Sequence, residues 1–380
     1  MNNVSTFSDC SNCGACYNIC PVSAITLKDD SLFYSIDVDM SKCIDCGACQ
    51  KVCPVNNGEK VQNVISSYGG CSTDPEVVKK SSSGGAFYEL ASVVLANGGV
   101  VFSAAYSADF KEVRFFSTDE RPLKDLMKSK YVESKVGLSF RVVKEELDKG
   151  REVMFCGAPC QVAGLKRYLK CEYSNLLTCD FSCGGMPSHK IYGEYLGKIE
   201  NKFKSTISNV NFRPKTYGWN LHTINVDLAN GRSYVKAYMQ DPYFYCFLGN
   251  HSSVRDYCYK CNFADNHYSD IILADFWMCK TASRIPNNNT GVSLLITCSE
   301  QGERYIDKIS KNFSLTILDN EKATYNLKKK IPRSESFMSE RAEFLDNCIT
   351  KGFTVASKKL KLRSALKAKG RFYLKKILMK

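Results

Sequence analysis

Eight cysteines near the start of the chain have a spacing that suits metal clusters. The pattern Cys-x2-Cys-x2-Cys-x3-Cys-Pro occurs twice, and the second copy lies 33 residues after the first, as Cys43 follows Cys10. This is the bacterial pattern for cubane 4Fe-4S clusters, in which three closely spaced thiolates surround one cluster. We therefore predict two 4Fe-4S clusters, held by Cys10, Cys13, Cys16, Cys20, Cys43, Cys46, Cys49 and Cys53.

The duplication also predicts which thiolates share a cluster. In proteins with two such clusters, the fourth cysteine of each run binds the cluster of the other run. Gly14 and Gly47 follow the second cysteine of each run and should allow backbone conformations that other residues avoid. The first cluster is assigned to Cys10, Cys13, Cys16 and Cys53, and the second to Cys43, Cys46, Cys49 and Cys20.

Zinc binding and disulfide bonds are the alternative uses of these cysteines. Structural zinc sites usually pair two short Cys-x2–4-Cys segments across a longer gap, which is not the order here. Disulfides need an oxidising compartment. The first residues carry neither the basic nor the apolar segment of a signal peptide, so we expect no targeting segment. The doubled spacing favours clusters over both alternatives.

The composition is that of a globular protein with many cysteines. The chain has 380 residues, of which 44% are hydrophobic and 24% charged, and this length favours two or three domains. Twelve of the 20 cysteines lie after residue 70, so the N-terminal pattern does not account for them. Since no apolar run approaches the roughly 20 residues needed to span a bilayer, we expect a cytoplasmic protein with reduced thiols.

Positive charge is concentrated at the end of the chain. Residues 357–380 hold ten lysines and arginines and no acid, out of a net charge of +13. A basic helix with an apolar stripe can bind an anionic membrane surface, which would make the protein peripheral on the inner face of the membrane. A solvated helix, or one docked on the body, is the equal alternative. No nucleic-acid partner is expected, because the rest of the chain shows no matching basic face.

Strand and helix patterns alternate after residue 62. This alternation predicts an α/β domain with a mainly parallel sheet behind an α+β ferredoxin-like region. The helix after Ser81–Gly85 should have a serine as its N-cap. Strands are predicted at 100–104, 113–116, 152–155, 176–179, 271–276 and 292–297, helices at 86–95, 140–147, 162–169 and 188–199, further β structure at 207–240, and helices after 320.

Several later cysteines follow predicted strands. Cys156 and Cys160 lie at the end of one strand, Cys179 and Cys183 follow another, and Cys258 and Cys261 form a Cys-x2-Cys pair. Open α/β sheets place their ligands outside the carboxyl ends of parallel strands. A third cluster is one interpretation, zinc is the second, and buried structural cysteine is the third. The chain has no G-x-G-x-x-G and no P-loop pattern.

A set of short motifs in a fixed order resembles a known family. The motifs are Ser82–Gly85, Ser129–Tyr131, Gly157–Gln161, Cys183–Ser188, Cys258–Cys261 and Ser269–Trp277. Together they resemble the beta-subunit family of coenzyme F-420 hydrogenases and dehydrogenases, over about residues 1–300 and including the two-cluster ferredoxin.

The resemblance implies an iron–sulfur flavoprotein. It implies a third 4Fe-4S cluster on Cys160, Cys183, Cys258 and Cys261, with Cys156 and Cys179 extra to the pattern. It also implies an FAD in the α/β domain, and the turn that opens a helix would suit its pyrophosphate, since helix N-termini offer free N–H groups. Ala274 stands where the family's Gly-Asp-x-Trp has glycine, which puts close backbone approach there in doubt. The candidate FAD residues are Ser82, Ser83, Gly84, Gly85, Lys130 and Asp275.

Two functions follow from this interpretation. The first is a flavin-dependent oxidoreductase that passes electrons between the clusters and an organic substrate, either deazaflavin-type or a surface-polysaccharide precursor. The second is a non-catalytic electron-transfer subunit that docks on a partner enzyme. A redox partner protein or a soluble electron carrier is expected in both. No catalytic residue is assigned, because the four histidines are isolated in the sequence. The predicted domains are 1–60 (ferredoxin), 61–330 (FAD and cluster) and 331–380 (helical and basic).

Overall fold

The computed structural model describes most of the chain, with short gaps. The described residues are 3–7, 9–57, 63–279, 285, 289–325, 327, 331 and 334–360. The strands are β1 (Ile25–Lys28), β2 (Ser35–Val38), β3 (Ser66–Ser72), β4 (Val100–Tyr106), β5 (Val113–Ser117), β6 (Ser134–Lys135), β7 (Val153–Cys156), β8 (Leu176–Phe181), β9 (Ile207–Asn211), β10 (Thr223–Leu228), β11 (Ser233–Ala237), β12 (Ile271–Asp275), β13 (Ser293–Thr297) and β14 (Phe313–Leu318).

The helices alternate with these strands through most of the chain. They are α1 (Ala15–Ile19), α2 (Ala48–Val52), α3 (Pro75–Lys80), α4 (Ala86–Ala96), α5 (Leu123–Leu126), α6 (Ser139–Asp148), α7 (Pro159–Leu169), α8 (His189–Phe203), α9 (Pro242–Phe244), α10 (Glu300–Ile309), α11 (Asn320–Tyr325), α12 (Glu335–Lys351) and α13 (Phe353–Ala356). Short 3-10 or π turns cover Val4–Thr6, Lys215–Tyr217, Tyr238–Gln240, Tyr245–Gly249, Asp256–Lys260 and Ser357–Lys359.

The ferredoxin-like region repeats its backbone as well as its sequence. Asn12 and Asp45, at equivalent positions, have φ of 55° and 51°, and Gly14 and Gly47 have φ of 90° and 70°. Left-handed backbone is favoured by glycine and tolerated by asparagine and aspartate, so both cysteine loops turn in the same way. The glycines therefore adopt the conformations expected of them. A hairpin of β1 and β2, with Ile25 paired to Val38, joins the two copies.

A nine-stranded sheet forms the centre of the α/β region. Its order is β14-β3-β13-β12-β8-β7-β4-β5-β6. Four of the eight pairings are parallel and four are antiparallel. The sheet is therefore mixed, and the expectation of a mainly parallel sheet is not confirmed. The central strands β12, β8, β7 and β4 are parallel. Antiparallel β13 and β5 lie beside them, each paired with the strand that precedes it in the chain, and β14 pairs antiparallel with β3 at one edge.

Helices cover both faces of the central strands. On β4, Val100 and Phe102 pack in one apolar cluster with α6 and α7, while Val101 packs in another with α4 and α10. Since side chains alternate across a strand, these two clusters lie on opposite faces of the sheet. The first cluster also contains Ala15 and Val52 of the ferredoxin-like region. That region is therefore seated on α6 and α7.

The remaining predictions of secondary structure can be compared directly. The predicted strands and helices between 86 and 297 are confirmed within a few residues, and residues 207–240 form an antiparallel sheet of order β11-β10-β9. The prediction of a serine N-cap for α4 is wrong, because Gly85, with φ of +98°, occupies the N-cap position. Residues 334–360 are largely helical, whereas 361–380 lie outside the described residues. No described helix is long and apolar enough to cross a membrane.

Candidate iron–sulfur sites and an adjoining cationic cleft

The first predicted set of thiols surrounds one cavity. A cavity of about 400 Å³ is lined by all four cysteines assigned to the first cluster, together with Asn12 and Arg255. Burial raises the pKa of Cys13 to about 12, and the neighbouring Cys53 and Cys10 thiols raise it further. Such mutual repulsion is what four thiolates produce before a cation neutralises them. The four cysteines brought together are Cys10, Cys13, Cys16 and Cys53.

The second predicted set surrounds a smaller cavity nearer the surface. The side-chain amide of Asn3 donates to Cys43 Sγ at 3.5 Å, and the backbone N–H of Ala24 donates to Cys20 Sγ at 3.3 Å. Cys46 is exposed, and neighbouring Ile44 exposes 61% of its surface. The four cysteines that line this cavity are Cys20, Cys43, Cys46 and Cys49.

The third set comes from three separate elements. Cys160 lies in the first turn of α7 after β7, Cys183 follows β8, and Cys258 and Cys261 lie in and after the turn Asp256–Lys260. Burial raises the pKa of Cys160 well above its ordinary range, and the Cys261 and Cys183 thiols add to the rise. The four thiols of the predicted third cluster therefore lie together.

Backbone amides point at the sulfurs in the same way in two of the three sets. The N–H two residues after the cysteine donates to Sγ of Cys10 at 3.3 Å, of Cys183 at 3.4 Å and of Cys261 at 3.3 Å. The N–H of Met186 donates to Cys258 Sγ at 3.4 Å. Hydrogen bonds to sulfur stabilise thiolates and are one of the means by which a protein adjusts a cluster potential.

The donor chemistry of the three sets fits 4Fe-4S clusters. Each set offers four free cysteines, which are the ligands these clusters take. Among the described residues, no three Cys, His, Asp or Glu side chains converge as a single metal ion would require. A cubane cluster is bound at its corners, so its thiolates stand around the cluster instead of meeting at one point.

The first and third sets are adjacent. Cys160 interacts electrostatically with Cys13, and its Sγ lies 3.8 Å from the carbonyl oxygen of Ser11. A methyl group at Gly164 in α7 would lie 3.1 Å from Cys13 Sγ. A side chain at this position would push α7 away from the first set. The first and third sets are therefore in direct contact through α7.

Cys156 and Cys179 do not join the third set. They lie on neighbouring strands at paired positions of β7 and β8, and both are buried. Burial raises the pKa of Cys156 to about 12, with Asp180 raising it further and Lys130 opposing the rise. Cys156 therefore interacts with Lys130, one of the residues predicted to bind FAD.

The serines of the predicted FAD turn are held by neighbouring loops. Ser82 Oγ accepts from the backbone N–H of Ser129 at 2.9 Å, which places Lys130 beside the turn. Ser83 Oγ donates to the carbonyl oxygen of Val292 at 2.8 Å. Both serines thus fix the turn at the carboxyl edge of the sheet.

The glycines of the turn are required by close packing. The N–H of Gly84 donates to Ser293 Oγ at 2.9 Å. A Cβ on Gly84 would lie 2.5 Å from the carbonyl oxygen of Gly70, a backbone atom that cannot move aside. Gly85, as the N-cap of α4, has a left-handed φ of +98°. The helix therefore begins without a side chain over its first N–H groups.

Two lysines with unusual pKa values flank this turn. Lys130 Nζ donates to the carbonyl oxygen of Met127 at 2.5 Å, and Lys215 Nζ donates to those of Ser83, at 2.5 Å, and Val78. Burial lowers the pKa of Lys130 to about 7 and that of Lys215 to about 7. A desolvated ammonium group is stabilised by a nearby anion. The turn and both lysines form what we call the cationic cleft.

Asp275 borders the cationic cleft from β12. It forms an ion pair with Arg213, and it also interacts with Lys215. The Arg213 guanidinium lies 5.4 Å from the ring centre of Trp277, which stacks on Trp219 at 4.1 Å. All predicted FAD residues are thus brought to one place, although Asp275 contacts another side chain there.

Sequence reasoning missed four charged residues at these sites. Arg213 and Lys215 lie in the β-rich segment after α8, where no motif marked them. Glu133 and Arg255 form a buried ion pair beside the first and third sets. Arg255 lies three residues before Cys258, and this closeness to a predicted cluster ligand is the signal that could have identified it.

The fold and the thiol sets define an iron–sulfur electron-transfer protein. Residues 9–57 match the family model of the 4Fe-4S dicluster domain. Residues 150–323 match the model of the C-terminal part of the coenzyme F420 hydrogenase/dehydrogenase beta subunit. These two matches confirm the resemblance to the beta-subunit family found in the sequence.

The chain is also similar to a solved structure, at a distance. It is the F420-reducing NiFe hydrogenase complex from Methanosarcina barkeri, in a xenon derivative; one of its chains is 13% identical, with a TM-score of 0.45. The match covers 77% of this chain and 91% of that chain. No curated protein matches the chain.

Proposed function

We propose that the protein is an iron–sulfur flavoprotein oxidoreductase with three 4Fe-4S clusters and one FAD. The observation that carries this proposal is the convergence of Cys160, Cys183, Cys258 and Cys261 beside the first thiol set. The first and second sets would hold one cluster each, as their cysteine spacing predicts. The predicted domains (1–60, 61–330 and 331–380) are part of the proposal.

When bound, such clusters accept and give single electrons, and a flavin exchanges pairs of electrons with organic molecules. The residues of the chain place and tune them. The amides that donate to Cys10, Cys183 and Cys261 would stabilise the extra negative charge of a reduced cluster. Cys46 is exposed, so the second site is where a partner would approach.

The cationic cleft is proposed as the FAD site. The first N–H groups of α4 and the half-buried side chains of Lys130 and Lys215 surround the turn 82–85. Helix N-termini and buried cations both favour a phosphate group. Gly84 lets the turn pack directly against the backbone of Gly70 and Ser293, which fixes the start of α4. Asp275 would act by orienting Arg213.

The iron, sulfide and flavin content of protein purified without oxygen tests this function. About twelve irons, four for each of three clusters, together with one FAD would support it. About eight irons with one FAD would remove the third cluster. A folded sample reconstituted with iron, sulfide and FAD that retains no flavin would remove the flavoprotein proposal.

The second candidate is an electron-transfer subunit without flavin chemistry. The apolar surface around the second set favours it, since Met40 and Ile44 expose 47% and 61% of their surfaces beside Cys46. Apolar residues next to an exposed redox site suit docking of a partner protein. Retention of all clusters without FAD, and of electron exchange with a partner, would select this candidate.

A further inference from the structure

A buried ion pair lies between the first and third thiol sets. Glu133 is 0% exposed and Arg255 is 8% exposed. Arg255 Nε donates to Glu133 Oε1 at 2.8 Å, and an Nη atom lies 2.5 Å from the same oxygen. Removing two charges from water is costly, and a buried pair often adds little to stability. The position of the Glu133–Arg255 pair beside two cluster sites therefore indicates a role other than stability.

The Glu133 carboxylate holds the loop of the first set. Besides Arg255, it accepts from the side-chain amide of Asn12 at 3.1 Å and from the backbone N–H of Tyr34 at 3.1 Å. Asn12 lies between Cys10 and Cys13 and has a left-handed φ of 55°. The first loop is thus anchored to the α/β region through Glu133.

Arg255 holds the segment that carries the third set. It precedes the turn Asp256–Lys260, and its carbonyl oxygen accepts from the N–H of Cys258 at 3.0 Å. Its side chain reaches back to the first set, where Nη1 donates to the carbonyl oxygen of Cys10 at 3.3 Å. The guanidinium interacts electrostatically with both Cys10 and Cys258. One residue therefore contacts both sites.

We propose that Glu133 and Arg255 are positioning residues for electron transfer between the first and third clusters. The pair fixes the distance between the two cysteine loops, and its guanidinium places positive charge beside both. This inference rests on the proposed function, because it requires a third cluster. A reduced cluster carries one more negative charge than an oxidised one, so a nearby cation stabilises the reduced form and raises its reduction potential.

A purely structural link between the two regions is the competing explanation, and the chain offers a matched control. Arg141 of α6 also donates to carbonyl oxygens of the ferredoxin-like region, those of Asn18 at 2.8 Å and Cys20 at 3.0 Å. It does so beside the second set. Arg141→Gln removes the same kind of link without removing the charge between the first and third sets.

The test uses the reconstituted full-length protein with all its clusters. Each cluster's reduction potential is measured by electrochemical titration, and the magnetic coupling between reduced clusters is measured by electron paramagnetic resonance. In Arg255→Gln we expect downward shifts of the first and third potentials and loss of the coupling between them. In Arg255→Lys, which keeps the charge but not the fork of donors, we expect smaller potential shifts with weakened coupling.

A double variant covers the case in which Arg255→Gln does not fold. Glu133→Gln with Arg255→Gln leaves no unpaired buried charge, and it should show the same loss of coupling. Unchanged potentials and coupling in these variants, or the same changes in Arg141→Gln, would overturn the inference. A wild-type protein with only two clusters would instead overturn the proposed function, so the two failures are distinguishable.

Discussion

The Sγ atom of Cys160 lies 3.8 Å from the carbonyl oxygen of Ser11, in the loop of the first thiol set. Ser11 lies between Cys10 and Cys13, while Cys160 begins the helix that follows β7 of the α/β region. The third set therefore lies directly beside the first. Cys156, four residues before Cys160 in the chain, interacts electrostatically with Lys130 of the cationic cleft.

Replacing a ligand of the third set should remove one cluster and leave the others. In Cys261→Ser we expect iron to fall by about four per protein, because three cysteines hold a cubane cluster poorly. The first and second clusters should keep their spectra, because their ligands come from the N-terminal repeat. Iron analysis and absorbance spectra of the reconstituted protein measure both effects.

Cys156→Ser is the control for this variant. Cys156 is buried beside the third set but is not one of its four proposed ligands. The Cys156→Ser variant should therefore retain the full iron content. Equal losses in Cys156→Ser and Cys261→Ser would show that the loss reflects misfolding or a different ligand set.

The two lysines predict how stability and FAD binding respond to pH. Burial lowers the pKa values of Lys130 and Lys215 from 10.5 to about 7 in the folded protein. Between pH 7 and pH 10.5 the unfolded chain therefore binds more protons than the folded one. Without flavin, the free energy of unfolding should rise with pH across this window, by at most about 1.4 kcal/mol per pH unit for each lysine.

The affinity for FAD should have the opposite pH dependence, because the pyrophosphate stabilises the charged form of the lysines. Its affinity should fall as the pH rises above 7, and binding at pH 8 should take up protons. Isothermal titration in buffers of different ionisation enthalpy measures this uptake. Lys215→Met should weaken FAD binding and reduce the uptake, whereas an unchanged uptake would exclude Lys215 from the site.

Gly84→Ala should disrupt the turn and with it FAD binding. The new Cβ would meet the carbonyl oxygen of Gly70 at 2.5 Å and the backbone N of Ser293 at 2.7 Å, so the turn must shift. We expect a loss of stability of about 1–3 kcal/mol and flavin loss. Gly193→Ala is the control, because a Cβ there, in α8, meets nothing within 4 Å. It should stabilise the protein by about 0.5–1 kcal/mol, as measured by chemical denaturation.

Local signals predicted much of the ferredoxin-like region and of the element order. The cysteine spacing predicts which side chains share a cluster, and Cys10 and Cys53 line one cavity while Cys20 and Cys43 line another. Strands such as β7 and β12 are short apolar runs between turn residues, so their patterns were sufficient. The cavities agree with the pairing, whereas the clusters themselves remain a prediction.

The pairing of strands that are distant in the sequence could not be predicted from local patterns. The antiparallel return of β13 between β3 and β12 depends on packing far along the chain, so a mainly parallel sheet was expected wrongly. The ion pair of Glu133 and Arg255 could not be predicted either, because the two residues are far apart in the sequence and meet only after folding. The cap of α4 was misjudged for a different reason. Gly85 occupies the N-cap with a left-handed φ of +98°, which favours glycine, and the serines bond elsewhere.

Truncation after Leu360 tests the basic end of the chain. The removed segment carries eight of the ten positive charges in 357–380 and no acid. If it binds an anionic membrane surface, truncation should lower cosedimentation with phosphatidylserine-containing vesicles, and high salt should do the same to the full chain. Vesicle binding that is equally weak in both proteins would favour a solvated or docked helix.

The central claim is that the third set connects the N-terminal clusters to the flavin. Flavin bleaching can be followed by stopped-flow absorbance, without oxygen, after mixing reconstituted protein with a reduced one-electron carrier protein. We expect rapid bleaching in the wild type and in Cys156→Ser, and strongly slowed bleaching in Cys261→Ser. Bleaching at the wild-type rate in Cys261→Ser, with its iron reduced by one cluster, would contradict the account.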